Sequence, residues 1–322
     1  MAQSTVQRLM LADDANPAGN VHGGTILKEI ENAGYIAAMR HCNPEGTAEP
    51  THLVLAQVEL MDFRAPMHIG EVAKLDAHVT FTSERSIEVL VNVSSENLLK
   101  GAWRSTNQAR LWYVAVTASE DSYASAKVPQ LTLSEEEARA GRQRYEAQRA
   151  RRSIEQVPAD GAVPTEGIPV SSCRAVLTQV VLPSDCAISG SVQVCRGGVV
   201  LKSIDNAAGV AAVRLCRSNV VTASIGDVHL LGPCKNGEVV EVTAVPTFSS
   251  KRSVEIRVDV TAENVITADK RKVCSALLMF VALDSAGRVG DVPPIFPESE
   301  EEVALYRQGQ ARYQARRGTR AK

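Results

Sequence analysis

A glycine pair followed by a helical pattern occurs twice in this chain of 322 residues, and it constrains the fold more strongly than any other feature. In both copies, at residues 23–34 and 197–208, apolar residues at helical spacing follow the two glycines and give way to small residues. Equivalent positions such as Glu31 and Asp205 lie 174 residues apart. Two copies with matching flanks indicate an internal duplication.

The rest of the first half also returns in the second half, at an offset of 167 residues. Residues 70–72 return as residues 237–239, and residues 81–86 return in similar form as residues 248–253. The change of offset means that the first half carries seven additional residues after its helical pattern. Each half is therefore one structural unit, and the chain is long enough for two domains of ordinary size.

Each unit combines one long helix with several strands. The helical pattern runs from about Gly24 to Arg40, and apolar or small residues on most of its faces predict burial within a wrapping sheet. Runs at residues 72–81, 87–93 and 109–117 predict strands, whereas residues 1–19 form a lead-in to the helix. A long helix followed by successive antiparallel strands predicts an α+β fold, because alternating βα units are missing.

Charged helical patterns close both units, and a stretch rich in proline and glycine separates the units. Residues 134–152 open with Ser134 and Glu137 at the spacing of a capping box, and residues 307–320 repeat the Arg-rich pattern. We expect both patterns to present solvated faces or contacts between subunits. The predicted organisation is a first domain at residues 1–152, a linker at residues 153–170 and a second domain at residues 171–322.

The composition argues against several classes of protein. A formal net charge of −2 with 22% charged residues gives no basic excess for nucleic-acid binding. No run of about 18 apolar residues predicts a membrane span, and residues 1–11 lack the pattern of a secretory signal. The seven cysteines form no C-x-x-C pair, so we expect free thiols in a reducing compartment, the cytoplasm, and no bound metal.

The glycine pair is also the first candidate for chemistry. Gly23 and Gly24 lack a Cβ atom and let the backbone approach a ligand closely. A helix that begins there directs unpaired N–H groups and a positive dipole end at the ligand, which suits an oxyanion or a polarised carbonyl. Glu31 and Asp205, about two turns into the two helices, are acids that can position or deprotonate a water molecule.

The two halves differ in the residues around these positions. The first half has Asn20 and His22 before its glycines and Glu31 on its helix. The second half has Asp205 on its helix, but its loop at residues 194–196 reads Val-Cys-Arg and contains neither an amide nor an imidazole. The two possible sites are therefore not equivalent in composition.

Five segments carry a resemblance to a known family: residues 19–28, 40–43, 111–114, 144–148 and 184–186. Together with the tandem repeat, they resemble the cytosolic, brain-type acyl-CoA hydrolases, which are tandem hotdog thioesterases. The resemblance covers nearly all of the chain. It implies two hotdog domains, each an antiparallel sheet wrapped around its long helix, with the substrate in the groove between them. It also implies that three chains assemble into a ring of six hotdog units.

The resemblance further implies hydrolysis of medium- to long-chain fatty acyl-CoA without a cofactor or a metal, by one active site per chain. In the family, an Asn in the first loop acts with an Asp on the second helix, and Asn20 and Asp205 match these positions. We predict that these two residues and the Gly24 backbone are catalytic, and that His22 and Gly23 bind substrate.

The second half departs from the family pattern. Arg196 stands where the family usually has His, and the stretch between Asp185 and Gly197 is three residues longer than its counterpart. The second possible site, formed by Glu31 and the loop of Arg196, is therefore expected to be weak or inactive. The first site should be spared if it uses only the helix of the second half.

Other interpretations stay open at this stage. Asp205 could cap or ion-pair, Asn20 is typical of a turn, and His22 could fix its loop through a ring N–H. Arg40 and Arg214 could bind CoA phosphates or lie in solvent. An alternative function is a non-catalytic acyl-CoA binding or sensing protein. An enoyl-CoA hydratase ranks last, because Asp205 and His22 lie in different halves.

Overall fold

The computed structural model describes residues 2–17, 19–47, 50–59, 61–118, 123–151, 161–189, 192–226 and 228–320. The helices in this part of the chain are α1 (Gly23–Cys42), α2 (Glu135–Arg151), α3 (Val170–Cys173), α4 (Gly197–Cys216) and α5 (Glu300–Arg320). Short 3-10 turns occur at Ala12–Asp14 and Pro183–Asp185. The strands of the first half are β1 (Gln3–Leu9), β2 (His52–Val58), β3 (Met61–Asp62), β4 (Val72–Thr82), β5 (Ser86–Asn97), β6 (Ala102–Ala118) and β7 (Tyr123–Ser125). Those of the second half are β8 (Ile168–Pro169), β9 (Ala175–Val180), β10 (Cys186–Ser189), β11 (Val192–Cys195), β12 (Asn219–Ile225), β13 (Val228–Leu230), β14 (Val239–Ser249), β15 (Val254–Asn264), β16 (Asp269–Leu283) and β17 (Ile295–Phe296).

The strands of both halves form one continuous antiparallel sheet. Its order is β1-β4-β5-β6-β2 in the first half, followed by β13-β16-β15-β14-β9 in the second half. The halves join where Val58 pairs with Val228 and where Met61 pairs with Ile225. Because these two junctions exchange equivalent strands at the 167-residue offset, the halves are related by a pseudo-twofold axis. The predicted α+β architecture of two hotdog units is confirmed.

Each half of the sheet wraps one long helix, as the helical patterns predict. Helix α1 buries its apolar residues against β1, β4 and β5, and α4 buries its own against β14, β15 and β12. Small residues are needed because the sheet lies close to the helix. A Cβ atom on Gly34 would lie 2.5 Å from Leu111 Cδ1 and 2.8 Å from the Tyr113 hydroxyl.

The two long helices also pack against each other, and the second glycine of each pair lies at the contact. A Cβ on Gly24 would lie 3.0 Å from the carbonyl oxygen of Lys202, and one on Gly198 would lie 3.1 Å from the Cα of Lys28. Both close approaches are to backbone atoms, which cannot rotate away. The glycine pairs therefore have a packing role in addition to any role in binding a ligand.

Two edge strands were missed by the sequence patterns. Strand β1 pairs with β4 within the predicted lead-in, and β9 pairs with β14 at the opposite edge of the sheet. Both strands expose much of their length, so the apolar alternation that marks a half-buried strand is weak in them. Pairing with a neighbouring strand, rather than burial, defines these edges.

One face of each charged tail helix docks on the outer face of the sheet of its own half, a contact that the charge pattern did not predict. The rest of α2 is mostly exposed, as expected. Glu88 on β5 is buried and accepts two hydrogen bonds of 2.7 Å from Arg144 on α2. Glu255 on β15 is bound by Arg312 and Arg316 on α5 in the same way. Bidentate pairs of this kind fix orientation as well as position.

The predicted linker at residues 153–170 is described only in part. Residues 152–160 lie outside the described ranges, residues 161–167 contain no helix or strand, and the remainder begins β8 and α3. The proposed domain boundaries therefore remain a prediction. Within the described residues, no helix is both long enough and apolar enough to cross a membrane.

The helix contact predicts opposite effects for two glycine-to-alanine changes on α4. Gly198→Ala should lower the free energy of unfolding by about 1–3 kcal/mol, because its Cβ is pressed against the backbone of α1. Gly209→Ala is the matched control, since its Cβ would lie 3.9 Å from Phe280. Gly209→Ala should raise the free energy of unfolding by up to about 1 kcal/mol, because alanine has a higher helix propensity than glycine. Urea unfolding measures both values, and equal shifts would contradict a helix contact that requires glycine.

Candidate active site

The crossing of the two helices places a carboxyl side chain from each helix at the N-terminus of the other. Asp205 of α4 lies at Gly24, and Glu31 of α1 lies at Gly198. We call the surroundings of Asp205 the first site and those of Glu31 the mirror site. Each site takes its loop from one half and its carboxyl group from the other, so neither half contains a site by itself.

Asp205 is fully buried, and both of its carboxylate oxygens are bound. The Gly24 N–H donates to Oδ2 over 2.6 Å, and the Thr222 hydroxyl donates to Oδ1 over 2.8 Å. The Nδ1 atom of His22 lies 2.8 Å from the same Oδ2. A buried carboxylate needs such partners to stay charged, and its hydrogen bonds hold it in one orientation.

The short contacts around His22 assign the ring proton. Its Nδ1 lies 2.8 Å from Asp205 Oδ2 and 3.2 Å from the Gly24 nitrogen, whose N–H already donates to the carboxylate over 2.6 Å. We therefore assign the proton to Nδ1, from which it is donated to Asp205, rather than treating Nδ1 as the acceptor of the helix cap. The partly exposed ring keeps Nε2 as an acceptor on its other side.

The two glycines have different roles in this arrangement. The Gly24 N–H is used by Asp205, whereas the Gly23 N–H has no acceptor among the described residues. A Cβ on Gly23 would lie 2.9 Å from Thr222 Oγ1 and 3.1 Å from Asp205 Oδ2. A side chain at this position would be pressed against the buried carboxylate and the Thr222 hydroxyl. The unpaired helix N–H suited to an anionic oxygen is that of Gly23.

Asn20 lies on the same loop but makes no hydrogen bond to Asp205 in the described part of the chain. Its backbone N–H donates to Asn16 Oδ1 over 3.1 Å, and its backbone bridges to His68. Its side-chain amide is half-buried and has no partner among the described residues. The structure thus brings together His22, Gly23, Gly24 and Asp205, and holds Asn20 by its backbone two residues away from His22.

Thr222 is the residue of the first site that the sequence patterns did not identify. It lies on β12, the strand that follows α4, and reaches Asp205 across the helix–sheet interface. Its counterpart in the first half, at the 167-residue offset, is Leu55. Comparing the two copies at this offset was the available signal, because a hydroxyl replaces a leucine in a strand that both halves share.

A groove between the halves leads to the first site. Its volume is about 380 Å³, which falls within the range of small-molecule sites. The first half contributes residues of the Asn16–Gly23 loop, and the second half contributes α4, β12 and β16. The apolar part of the lining consists of Pro17, Val210, Val213, Val220 and Phe280. Arg214 also lines the groove, and it donates to the backbone oxygen of Arg174.

The mirror site repeats this geometry with different side chains. Glu31 is 2% exposed, and its Oε2 atom has no hydrogen-bond partner in the part of the chain that the structure describes. Arg196 replaces His22 and donates to Asn32 Oδ1 over 3.1 Å. Leu55 replaces Thr222, and Tyr35 occupies the position equivalent to Gly209. A cavity of about 320 Å³ lies beside these residues.

The environment of Glu31 disfavours its charged form. Burial raises its pKa to about 7, although the Gly198 N–H and the Arg196 guanidinium act in the opposite direction. The same burial, together with the nearby Glu31 carboxyl, raises the pKa of Tyr35 and that of Tyr113. A pKa of about 7 leaves Glu31 partly protonated at neutral pH. The mirror site differs from the first site chiefly in lacking the imidazole and hydroxyl side chains that bind the Asp205 carboxylate.

The cysteines supply no nucleophile or metal site. Burial raises the pKa of Cys42 and Cys216 to about 11 and that of Cys234 to about 12, so their thiols are protonated at neutral pH. In the described ranges, no group of three or more His, Cys, Asp or Glu side chains could hold a metal ion. These thiols pack in the apolar interior.

The raised pKa of Glu31 predicts a specific dependence of stability on pH. Between pH 4.5, its value in the unfolded chain, and about 7, the unfolded chain releases this proton while the folded chain retains it. Stability contributed by neutral Glu31 is therefore lost as pH rises through this window. Relative to Glu31→Gln, the wild type should lose up to about 3 kcal/mol of unfolding free energy between pH 4.5 and 8.

Urea unfolding of both proteins at a series of pH values measures this difference. Arg196, Tyr35 and Tyr113 are the charged or titratable groups that face Glu31. They are present in both proteins, and the comparison cancels their own titration to first order. A difference between the two proteins that stays constant across this pH range would rule out the buried, neutral Glu31.

A family model places both halves among known proteins. The model, described as the thioesterase superfamily, matches residues 18–102 and again residues 193–268. Each match includes one glycine pair, its long helix and the strands that follow. The duplication inferred from the 174-residue and 167-residue offsets therefore corresponds to two copies of one domain.

Similar proteins cover nearly all of the chain. A cytosolic acyl coenzyme A thioester hydrolase from Homo sapiens is 41% identical, over 95% of this chain and 81% of its own length. A protein of the same description from Mus musculus is 40% identical, over 96% of this chain and 82% of its own. A solved structure described as an oleoyl thioesterase, from Lactobacillus plantarum, matches with a TM-score of 0.54 over 88% of this chain and 97% of that one. At 12% identity, this last likeness concerns the fold alone.

Proposed function

Because the chain belongs to the thioesterase superfamily, we propose that it hydrolyses the thioester bond of fatty acyl-CoA to a free fatty acid and CoA. The relatives that match 95% of the chain are named acyl coenzyme A thioester hydrolases. The observation that carries the proposal is the buried Asp205 carboxylate held at the N-terminus of the opposing helix, beside an unpaired helix N–H. An acid and an oxyanion donor are the two groups that thioester hydrolysis requires.

In the proposed reaction, the substrate carbonyl oxygen binds the Gly23 N–H at the positive end of the α1 dipole. A water molecule attacks the carbonyl carbon, and the Asp205 carboxylate takes one of its protons. The carbonyl π electrons move to the oxygen and form the tetrahedral oxyanion. When the oxyanion collapses, the C–S bond breaks, and the CoA thiolate leaves and takes up the proton held by Asp205.

The other residues of the first site position these two groups. Thr222, His22 and the Gly24 N–H hold the carboxylate in one orientation, so little reorganisation is needed during the reaction. Asn20 has a free amide and lies two residues before His22 in an extended segment, where alternate side chains share a face. We assign its amide to the water molecule or the substrate oxygen.

We further propose one working site per chain and an acyl chain of medium to long length. The first site has a carboxylate bound by a hydroxyl, whereas the mirror site has Leu55 in place of Thr222 and a carboxyl group whose pKa burial raises to about 7. The apolar residues of the groove, including Val210 and Phe280, suit a hydrocarbon chain. The cytosol is the proposed location, since the relatives are named cytosolic.

The proposed roles of Asp205, Thr222 and Glu31 can be tested by following the release of CoA from palmitoyl-CoA with a thiol reagent. Asp205→Asn should lower kcat/KM by at least 100-fold, because the amide cannot accept the proton from water. Thr222→Val should lower it by about tenfold, since the carboxylate loses one of its three donors. The kcat/KM of Glu31→Gln should be at least ten times that of Asp205→Asn.

Three outcomes separate the alternatives. Equal losses in Asp205→Asn and Glu31→Gln would mean two working sites and would contradict the asymmetry. Activity in Asp205→Asn close to that of the wild type would remove this residue from the mechanism. Tight binding of palmitoyl-CoA by the wild type with no CoA release would favour the non-catalytic acyl-CoA binding protein.

We also propose that three chains assemble into a ring of six hotdog units. Exposed apolar pairs at equivalent hairpin tips, Leu98 and Leu99 in the first half and Val265 and Ile266 in the second, are surfaces that such contacts could cover. Sedimentation equilibrium should then give about three times the chain mass of 34.5 kDa. A single species at the mass of one chain, at micromolar concentration, would exclude the trimer.

A further inference from the structure

The mirror site retains a cavity although the side chains proposed for hydrolysis are replaced there. The cavity is about 320 Å³, close to the 380 Å³ of the groove at the first site. Its walls come from both halves and are mainly apolar: Leu53, Leu55, Val114, Val116, Val200 and Leu230. A site that had merely decayed would have no reason to keep an apolar space of this size in a closely packed interior.

Among the described residues, two polar atoms at this cavity have no hydrogen-bond partner. One is Glu31 Oε2 and the other is Arg196 Nε, and both atoms are buried. The Gly198 N–H acts on the Glu31 carboxyl by lowering its pKa, and Arg196 uses Nη1 to reach Asn32. Buried polar groups in native proteins almost always have a partner. An unpartnered pair that lines one cavity therefore marks the position of a ligand's polar end.

The chemistry of the pair selects the kind of ligand. Arg196 Nε–H is a donor, and Glu31 in its neutral form carries an O–H donor. Two donors at one end of an apolar cavity fit an acceptor oxygen attached to a hydrocarbon chain. A cationic head group would be repelled by Arg196, and a sugar or nucleotide would leave its hydroxyl groups without partners on the apolar walls.

We propose that the mirror cavity binds an acyl chain ending in a carbonyl oxygen, as in a free fatty acid, and holds it without hydrolysis. Arg196 and Glu31 bind the oxygen atoms, and the apolar walls bind the chain. Hydrolysis is absent because Leu55 and Arg196 replace the residues that hold the carboxylate of the first site. A fatty acid is the product of the proposed reaction, but this inference concerns binding and rests on the mirror cavity alone.

Laurate binding, measured by calorimetry on the full chain at pH 7, tests the proposal. Gly232 lines the mirror cavity, and a Cβ atom there would meet no atom within 4 Å, so Gly232→Phe should fill the space without disturbing the fold. We expect this variant to bind one laurate fewer per chain than the wild type. The same number of bound laurate molecules in both proteins would overturn the proposal.

A second pair of variants tests the polar end of the cavity. Arg196→Met keeps most of the side-chain length but removes the guanidinium, and it should weaken laurate binding at this site by at least tenfold. Arg139→Met is the matched control, because Arg139 is exposed on α2 and lines neither cavity. Equal affinities in the two variants would show that Arg196 does not bind the ligand.

Lauroyl-CoA distinguishes a thioester from a free acid as the source of the chain. The measurement uses the Asp205→Asn variant, which we expect not to hydrolyse lauroyl-CoA. If adding Gly232→Phe to this variant lowers the number of lauroyl-CoA molecules bound per chain by one, the thioester is a ligand of the mirror cavity. A fall seen only with laurate would identify the free acid. No fall with either ligand would overturn the proposal. These measurements report binding and need no turnover. A failure of the hydrolase proposal would instead be seen in the CoA-release measurement.

Discussion

A carboxylate bound by the N-terminus of the opposing helix couples the two halves of this protein. Asp205 accepts a 2.6 Å hydrogen bond from the Gly24 N–H, in a crossing so close that a side chain at this position would meet the backbone of α4. The contact joins residues 181 positions apart and leaves the charged group fully buried. Packing of the two hotdog units and formation of the site are therefore one event, because the same glycine permits both.

The duplication preserved the scaffold and let the sites diverge. Both long helices have 20 residues, and the two halves of the sheet have the same strand order. Both tail helices bind a buried glutamate, Glu88 or Glu255, through arginines. The differences are concentrated where the halves meet. A buried aspartate binds a hydroxyl in one site, and a buried glutamate shares a cavity with Leu55 in the other. Symmetry was kept where it stabilises the fold and was lost where the chemistry depends on individual side chains.

Much of the fold could be predicted because the pattern of each main helix and strand occurs twice in the sequence, once in each half. The long helices and the main strands follow from the glycine pairs, the β-branched runs and the two offsets. The docking of one half on the other was implied by the resemblance to the tandem hotdog thioesterases. The edge strands β1 and β9 escaped detection because exposed strands lack apolar alternation. The docking of the tail helices was missed because their charged residues read as solvated, whereas Arg144 and Arg312 have buried glutamates as partners.

The candidate active site, like the fold, could be predicted only in part from the sequence. By itself, the sequence determined that two helices begin at glycine pairs, that one carries Asp205 and the other Glu31, and that their loops differ. Only the tertiary structure decided that the Gly24 N–H binds Asp205 and leaves that of Gly23 open, and that Thr222 completes the first site. The physical reason is that hydrogen-bond partners depend on distances of a few tenths of an ångström between elements far apart in the chain, and spacing along the sequence does not specify them.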